Sequence, residues 1–476
     1  MMVYTRPKTK IVCTLGPSTS SARRIRSLVE EGMSVARLNM SHGTPDEHAE
    51  KISLIRAASA ETGIPVAVMI DVPGPKYRTG LLGDGALDLE SGQDITLTSR
   101  DIVGDKDTVS VSPPGIHRDA RLDSPLLLDD GMMELAVHSV EELDVHCRVV
   151  RGGRLTEKRG VTVPGRDPSQ AFPSEQAKAA LKFAAEQRAD FVALSMVSSG
   201  ENVDTARTLL REHGHDPFIV SKIELSGGVR NFPEILEASD GIMVARGDMG
   251  VELPLAEVPM IQKKLIHQCN ERGKPAITAT QMLESMVTSP VPTRAEVTDI
   301  ANAIFDGSDA IMLSGETATG EHPVEAVRFM AEAAMFAEAY LSYDQMLESR
   351  RGHAESKIDD AIAYNACHTA QQLGSRLIVA FTESGATAAR VSKYRPQAHI
   401  IALTSTEQVQ RRLLLTWGAT PFVVSSFDHV DGFFELAEQY AKESAGLRDG
   451  QQVVLVAGLP IGVSGGTNLL RVLSVN

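Results

Sequence analysis

The chain has 476 residues and a formal charge of −15, from 47 Lys and Arg against 62 Asp and Glu. That length suits roughly three domains of ordinary size, and the acidic balance argues against general affinity for nucleic acid or an anionic membrane surface. Hydrophobic residues make up 42% and aromatic ones only 4%, so the cores are expected to rest on Val, Ile, Leu, Ala and Met.

From Lys10 onward, short apolar runs recur with amphipathic stretches between them. They are Ile11-Val-Cys-Thr-Leu15, Val35-Ala-Arg-Leu38, Val66-Ala-Val-Met-Ile70, Phe191-Val-Ala-Leu194, Phe218-Ile-Val220, Ile242-Met-Val244, Ala276-Ile-Thr278 and Ala310-Ile-Met-Leu313. Each is too short for a helix and has the look of a strand buried on both faces of a parallel sheet. The stretches from Ser20 to Glu31 and from Pro173 to Arg188 place Leu, Val, Ala and Phe at helical spacing against Arg and Glu. Eight such units predict a (β/α)8 TIM barrel, with its active site at the C-terminal ends of the strands.

One interval breaks the rhythm. Between Asp71 and Asp190, turn residues such as Ser112-Pro-Pro-Gly115 and Asp129-Asp-Gly131 punctuate alternating segments such as Asp94-Ile-Thr-Leu-Thr98. That texture predicts a small antiparallel β domain inserted after the third strand, placed to act as a lid. After the eighth unit, Val324 to Tyr340 reads as a helix and Tyr343 to Ser356 as a polar linker. Strands at Leu377 to Phe381, His399 to Leu403, Pro421 to Val424 and Val453 to Ala457 then alternate with helices, predicting an open α/β sheet. The expected division is barrel over 1–71 and 168–342, a β-barrel lid over 72–167, and a C-terminal α/β domain for regulation and oligomerisation over 343–476.

The four cysteines, Cys13, Cys147, Cys269 and Cys367, form no Cys-x-x-Cys pair and read as thiols of a reducing compartment. Met1 to Lys10 has no apolar signal core, and no run approaches the ~18–20 apolar residues that span a bilayer. A cytoplasmic protein is expected.

Each predicted barrel strand ends in polar or charged residues. The fifth run leads into Lys222 and Glu224, and the sixth into Arg246, Gly247 and Asp248. An isolated buried charge is expensive, so an ammonium and two carboxylates on neighbouring strand ends need a reason. Such a set suits a divalent metal with a cation beside it, a combination that handles phosphates or enolates. A lone Lys-x-Glu is more often a solvated strand end. The other strands supply Arg37, Asn39, Ser41, His42, Asp71, Lys76, Arg78, Ser195, Thr280 and Glu316 on the same face, and that convergence favours function.

These residues carry a family resemblance. Ser221-Lys-Ile-Glu224, Ala245-Arg-Gly-Asp-Met-Gly250, Ala279-Thr-Gln-Met-Leu-Glu-Ser285, Pro292-Thr-Arg-Ala-Glu296 and Met312-Leu-Ser-Gly-Glu-Thr-Ala318 closely resemble pyruvate kinases, as do Arg37-x-Asn-x-Ser-His-Gly43 and Gly462-Val-Ser-Gly465. The resemblance implies transfer of the phosphoryl group of phosphoenolpyruvate to ADP, giving ATP and pyruvate in the last step of glycolysis. It implies that Glu224 and Asp248 hold magnesium, with manganese as the alternative, and that Lys222, Arg37 and Thr280 are catalytic. Arg37, Lys222, Gly247, Asp248 and Thr280 would bind substrate. Asn39, His42, Arg78 and Arg159, with Lys158 as an alternative, would face the nucleotide. Glu316 is expected to orient other groups, and Asp130 to fold over the site from the lid. A homotetramer is also implied.

Three departures matter. The family's potassium ligands match Asn39, Ser41 and Asp71, but the following threonine is Val72, and the usual Gly-Pro-Glu is Gly74-Pro-Lys76. Lysine there resembles the potassium-independent branch, in which a tethered ammonium supplies the ion's charge. Ser195-Met-Val-Ser198 stands where Ser-Phe-x-Arg is common. Finally, Thr382-Glu-Ser-Gly-Ala-Thr387 lacks the basic residues of sugar-phosphate-regulated members. Its Thr382, Ser384, Gly385 and Thr387 are expected to accept at most a monophosphate effector. Competing readings are another enolate-handling barrel, such as a dikinase or aldolase, and a degenerate regulatory homologue. The first would need a phosphorylatable histidine domain or no lid, and the second the loss of Lys222, Glu224 or Asp248.

Overall fold

A computed structural model describes residues 5–166, 172–351, 357–425, 430–460 and 466–476. The motif Gly462-Val-Ser-Gly465 lies outside the described residues.

Eight parallel strands close into a barrel: Lys10–Thr14, Val35–Asn39, Ala67–Val72, Phe191–Leu194, Phe218–Ile223, Gly241–Ala245, Ala276–Ala279 and Ala310–Leu313, called strands one to eight below. Nearly every residue in them is buried. That is why they read as unbroken apolar runs rather than alternating ones. Val12, Val35, Met69, Phe191, Val220 and Met243 fill the barrel interior, where Phe191 meets Phe218 edge-on at 5.6 Å. Leu414 and Leu415 of the C-terminal domain join this interior cluster, so that domain helps to pack the barrel.

Helices cover the barrel, and their ends follow capping chemistry. Thr293 and Glu296 form a capping box at the start of the helix Arg294–Phe305. Glu296 also accepts from the backbone and hydroxyl of Ser285 at 2.7 and 2.6 Å. The motif Pro292-Thr-Arg-Ala-Glu296 therefore ties the loop after strand seven to the next helix.

The inserted segment folds as a seven-stranded closed barrel around its own core, including Leu97, Val109, Leu126, Leu135 and Val145. The C-terminal domain is a five-stranded sheet with apolar clusters on both faces. Its last strand, Leu469–Ser474, pairs antiparallel with Gln452–Ala457 at the sheet edge and was not expected. The expected linker contains a helix over Tyr343–Arg350. Its polarity misleads because Leu347 is its one buried residue, while Arg350 reaches Asn270 of the barrel at 2.6 Å.

Candidate active site

A cavity of about 530 Å³ opens at the C-terminal ends of the barrel strands, walled by Arg37, Asp71, Lys222, Glu224 and Asp248 below and by Lys76, Arg78 and Lys158 of the lid above. Lys222 lies at its floor. Its ammonium contacts Asp71 at 3.3 Å, Ser195 Oγ at 2.8 Å and Glu224 at 3.0 Å. Burial works against this charge, yet Asp71 and Glu224 outweigh it and hold the ammonium above the usual lysine range.

Asp71 is the hub. One oxygen accepts from Arg37 Nε at 2.8 Å, and the other from Lys222 and from Ser195 Oγ at 3.1 Å. Burial alone would raise its pKa, but Arg37 and Lys222 bring it below the carboxylate norm. Arg37 also donates to Thr14 Oγ1 at 2.8 Å, so strand one orients the guanidinium. Desolvated charges persist only when paired in this way.

Glu224 and Asp248 form the second pole. Glu224 accepts from Met196 N–H at 2.6 Å as well as from Lys222. Its pKa is raised, first by burial and then by the neighbouring Asp248, despite the opposing pull of Lys222. Against its burial, Lys76 and then Lys222 hold the Asp248 carboxyl below the usual range; two neighbouring carboxylates of this kind fit a dication, and hard oxygen donors suit magnesium. Among the described residues no group of three or more His, Cys, Asp or Glu side chains forms a metal cluster.

Lys76 does not point into solvent. Its ammonium lies 2.8 Å from Asp248 and 3.3 Å from Asp130 of the lid. Burial opposes its charge, but Asp248 and Asp130 overcome that and push the pKa up to about 12. Gly160 makes room for it, while Gly74 makes room for Met196. A Cβ on Gly74 would stand 2.8 Å from Met196 Cγ, and one on Gly160 would stand 3.0 Å from Lys76 Cε. Counting Lys76, Arg37 and Lys222 against Asp71, Glu224 and Asp248, the cluster is balanced. A dication together with an anionic substrate can enter it at little net change in charge.

Gly247 opens the helix Arg246–Glu252, and its N–H donates to Thr280 Oγ1 at 2.8 Å. The Thr280 hydroxyl in turn donates to the carbonyl of Ala279 at 2.6 Å. Thr280 and Gly247 stand behind Asp248 rather than among the cavity-lining residues. Asn39, Ser41, His42, Arg78 and Lys158 do line it. Arg159 stands off the cavity, with its guanidinium bonded to Thr156 Oγ1 at 2.5 Å and paired with Asp129 at 3.3 Å; of the two candidate lid cations, Lys158 is the one on the wall. Glu316 is fully buried and accepts from the backbone of Leu283 and Ser314 at 2.9 and 2.7 Å, so it braces loops seven and eight.

Sequence reasoning missed the weight of Ser195, which joins Asp71 to Lys222, and of the Met196 N–H on Glu224. The loop Ser195-Met-Val-Ser198 was noted only for what it lacks. Met196 has φ +55, a left-handed backbone that a lone methionine gives no hint of. In the expected effector loop, Thr382 Oγ1 accepts from Gly385 N–H at 2.9 Å and Thr387 Oγ1 meets Thr467 Oγ1 at 2.9 Å. Both hydroxyls are buried and already engaged, leaving Ser384 as the exposed one.

The chain has relatives among known proteins. The family models "Pyruvate kinase, barrel domain" and "Pyruvate kinase, alpha/beta domain" match residues 6–327 and 360–473. The chain is 44% identical over 468 residues to a pyruvate kinase of Geobacillus stearothermophilus, covering 98% of this chain and 80% of that protein. It is 42% identical over 467 residues to a pyruvate kinase of Staphylococcus aureus strain USA300, with the same coverage. The crystal structure of a pyruvate kinase from Cryptosporidium parvum superposes with a TM-score of 0.94 at 35% identity, covering 100% of this chain and 97% of that one. With its barrel and C-terminal sheet both matched by the family's models, the chain belongs to the pyruvate kinase family.

Proposed function

We propose that this enzyme breaks the bond between phosphorus and the enol oxygen of phosphoenolpyruvate and forms a new one to the terminal phosphate of ADP. The departing enolate takes a proton at its methylene carbon, giving pyruvate. The observation that carries the reading is the Lys222 ammonium, buried between Asp71, Ser195 and Glu224 at the cavity floor. Phosphoryl transfer needs positioning and charge neutralisation more than covalent help, and a desolvated cation there acts without screening by water.

Arg37, oriented by Asp71 and Thr14, presents a planar fork suited to phosphoryl oxygens. Asp248 offers its backbone N–H to the substrate carboxylate, beside the Gly247 N–H that Thr280 Oγ1 holds at 2.8 Å. Thr280 ends a water relay to the carbon that gains the proton, since an unperturbed hydroxyl is a poor acid at neutral pH. Asn39, His42, Arg78 and Lys158 face the nucleotide, with Arg159 reaching it on lid closure. Glu224 and Asp248 would hold magnesium, or manganese, which when bound would neutralise charge on the phosphoryl and enolate oxygens. Lys76 takes the place of potassium, supported by its ammonium 2.8 Å from Asp248.

The four cysteines are buried and unbridged, and no helix among the described residues is long and apolar enough to cross a membrane; a cytoplasmic enzyme fits both. Phe336 and Tyr340 are 73% and 81% exposed on one outer helix and its end, and Phe305 is 52% exposed on another. Such exposed large apolar groups fit further copies of this chain, assembled as a tetramer. An effector site at Ser384 is left to a single phosphate.

The test is pyruvate formation from phosphoenolpyruvate and ADP with magnesium, coupled to lactate dehydrogenase. Turnover is expected in the wild type, with at least a ~100-fold loss in Lys222→Met and little change in phosphoenolpyruvate binding by calorimetry. Absence of pyruvate from the folded wild type refutes the proposal.

A further inference from the structure

Arg246 stands between the strand-six end and Gly247, yet none of the roles above uses it. Its side chain is 11% exposed and faces the loop after strand seven. The guanidinium donates to the carbonyls of Thr280 and Ala279 at 2.6 and 3.3 Å, and Nη2 lies 2.9 Å from the sulfur of Met282. Asp299, on the helix Arg294–Phe305, pairs with it at 2.7 Å. Gln262 Oε1 lies at 3.5 Å.

The backbone it grips is unusual. Thr280 and Gln281 have φ of +71° and +55°. Two consecutive non-glycine residues in the left-handed region, the first β-branched, persist only where their surroundings over-determine them. The Ala279 carbonyl accepts from both Arg246 and the Thr280 hydroxyl, so Arg246 is one acceptor away from the hydroxyl that meets Gly247 N–H. Gly247 permits the approach: a Cβ there would stand 3.3 Å from Thr280 Oγ1.

We propose that Arg246, clamped by Asp299, is a positioning residue for the protonation step. It fixes the carbonyls on both sides of the Thr280 side chain and so sets the hydroxyl against Gly247. The proposal rests on the reading of Thr280 given above. A lysine at this position keeps the charge opposite Asp299 but lacks the fork that spans two carbonyls. Arg246→Lys therefore separates positioning from simple charge pairing.

The experiment compares Arg246→Lys, Arg246→Met, Thr280→Ala and the double variant Arg246→Met/Thr280→Ala. Three quantities are read: kcat with KM for each substrate, exchange of the pyruvate methyl protons with deuterated water by NMR, and thermal unfolding. Arg246→Lys is expected to unfold within about 2 °C of wild type while losing about a hundredfold in kcat and in methyl exchange, the scale of a small misplacement of a reacting group. KM for ADP should stay within about twofold, since neither Arg246 nor Thr280 lines the cavity walled by Asn39, His42, Arg78 and Lys158. The double variant should be no slower than Thr280→Ala within about threefold, because both changes remove one function. Arg246→Lys with wild-type turnover, or losses that multiply in the double variant, overturns the proposal while leaving the role of Thr280 intact. Thr280→Ala with wild-type turnover overturns both. If Arg246→Met does not fold, Arg246→Lys with Thr280→Ala forms the same cycle.

Discussion

Replacing Lys76 tests whether a tethered ammonium does the work of potassium. At 2.8 Å from Asp248, a unit charge pair at an effective dielectric of about 20 attracts by about 6 kcal/mol. Both side chains keep water contact, at 23% and 33% exposure, so screening and desolvation reduce the net effect to about 1–2 kcal/mol. Spread over the site, that corresponds to about five- to thirtyfold in rate. Wild-type turnover is therefore expected to change less than about threefold when potassium is replaced by tetramethylammonium at constant ionic strength, below that range. Lys76→Glu places a third carboxylate beside Asp248 and Glu224, and should lose at least about tenfold in tetramethylammonium and regain most of it in potassium. The assay is the coupled pyruvate reaction at saturating magnesium, with ionic strength held fixed so that general screening cancels. A wild type that loses more than about tenfold without potassium refutes the reasoning, as does a Lys76→Glu variant indifferent to the cation.

Other outcomes follow from the same contacts. Burial and then the charges of Lys8, Lys10 and Arg376 lower the His399 pKa from 6.5 to about 3. The unfolded chain takes up a proton there below pH 6.5 that the folded one refuses, so stability falls with pH, by about 2 kcal/mol between pH 6.5 and 5. His399→Gln should flatten that acid limb in thermal unfolding at pH 7 and pH 5; identical slopes for the two proteins would count against it. Phe336→Glu, at a position 73% exposed, should shift the assembly toward dimers or monomers by light scattering without lowering the unfolding temperature of the lid. An unchanged mass would remove that helix from the subunit interface.

The barrel was legible because its information is local. A strand buried on both faces must be apolar along its whole length, and Ile11 to Leu15 or Ala310 to Leu313 say so without help from distant residues. The charges that interrupt those runs, Lys222, Glu224 and Asp248, were legible for the same reason: they are costly where they stand. The lid's alternation and the C-terminal strands were also visible. The linker helix was not, because Leu347 is its one buried residue; nor was the edge strand Leu469–Ser474, whose apolar residues are interrupted by Arg471 and none of which is fully buried.

What the tertiary structure alone decided is who meets whom. Asp71 and Lys222 are 151 residues apart and Lys76 and Asp248 are 172 apart, and no periodicity carries a pairing over such distances. Lys158, at φ +60°, stands on the cavity wall while its neighbour Arg159 does not, which the bare order of two cations leaves open. The same holds for Arg246, which sequence presents as one more charge at a strand end. Composition and spacing determined that this chain would bring cations and carboxylates to one end of a barrel. Closure of that barrel, which joins loops hundreds of residues apart at fixed distances, decided that they neutralise one another and which group each one holds in place.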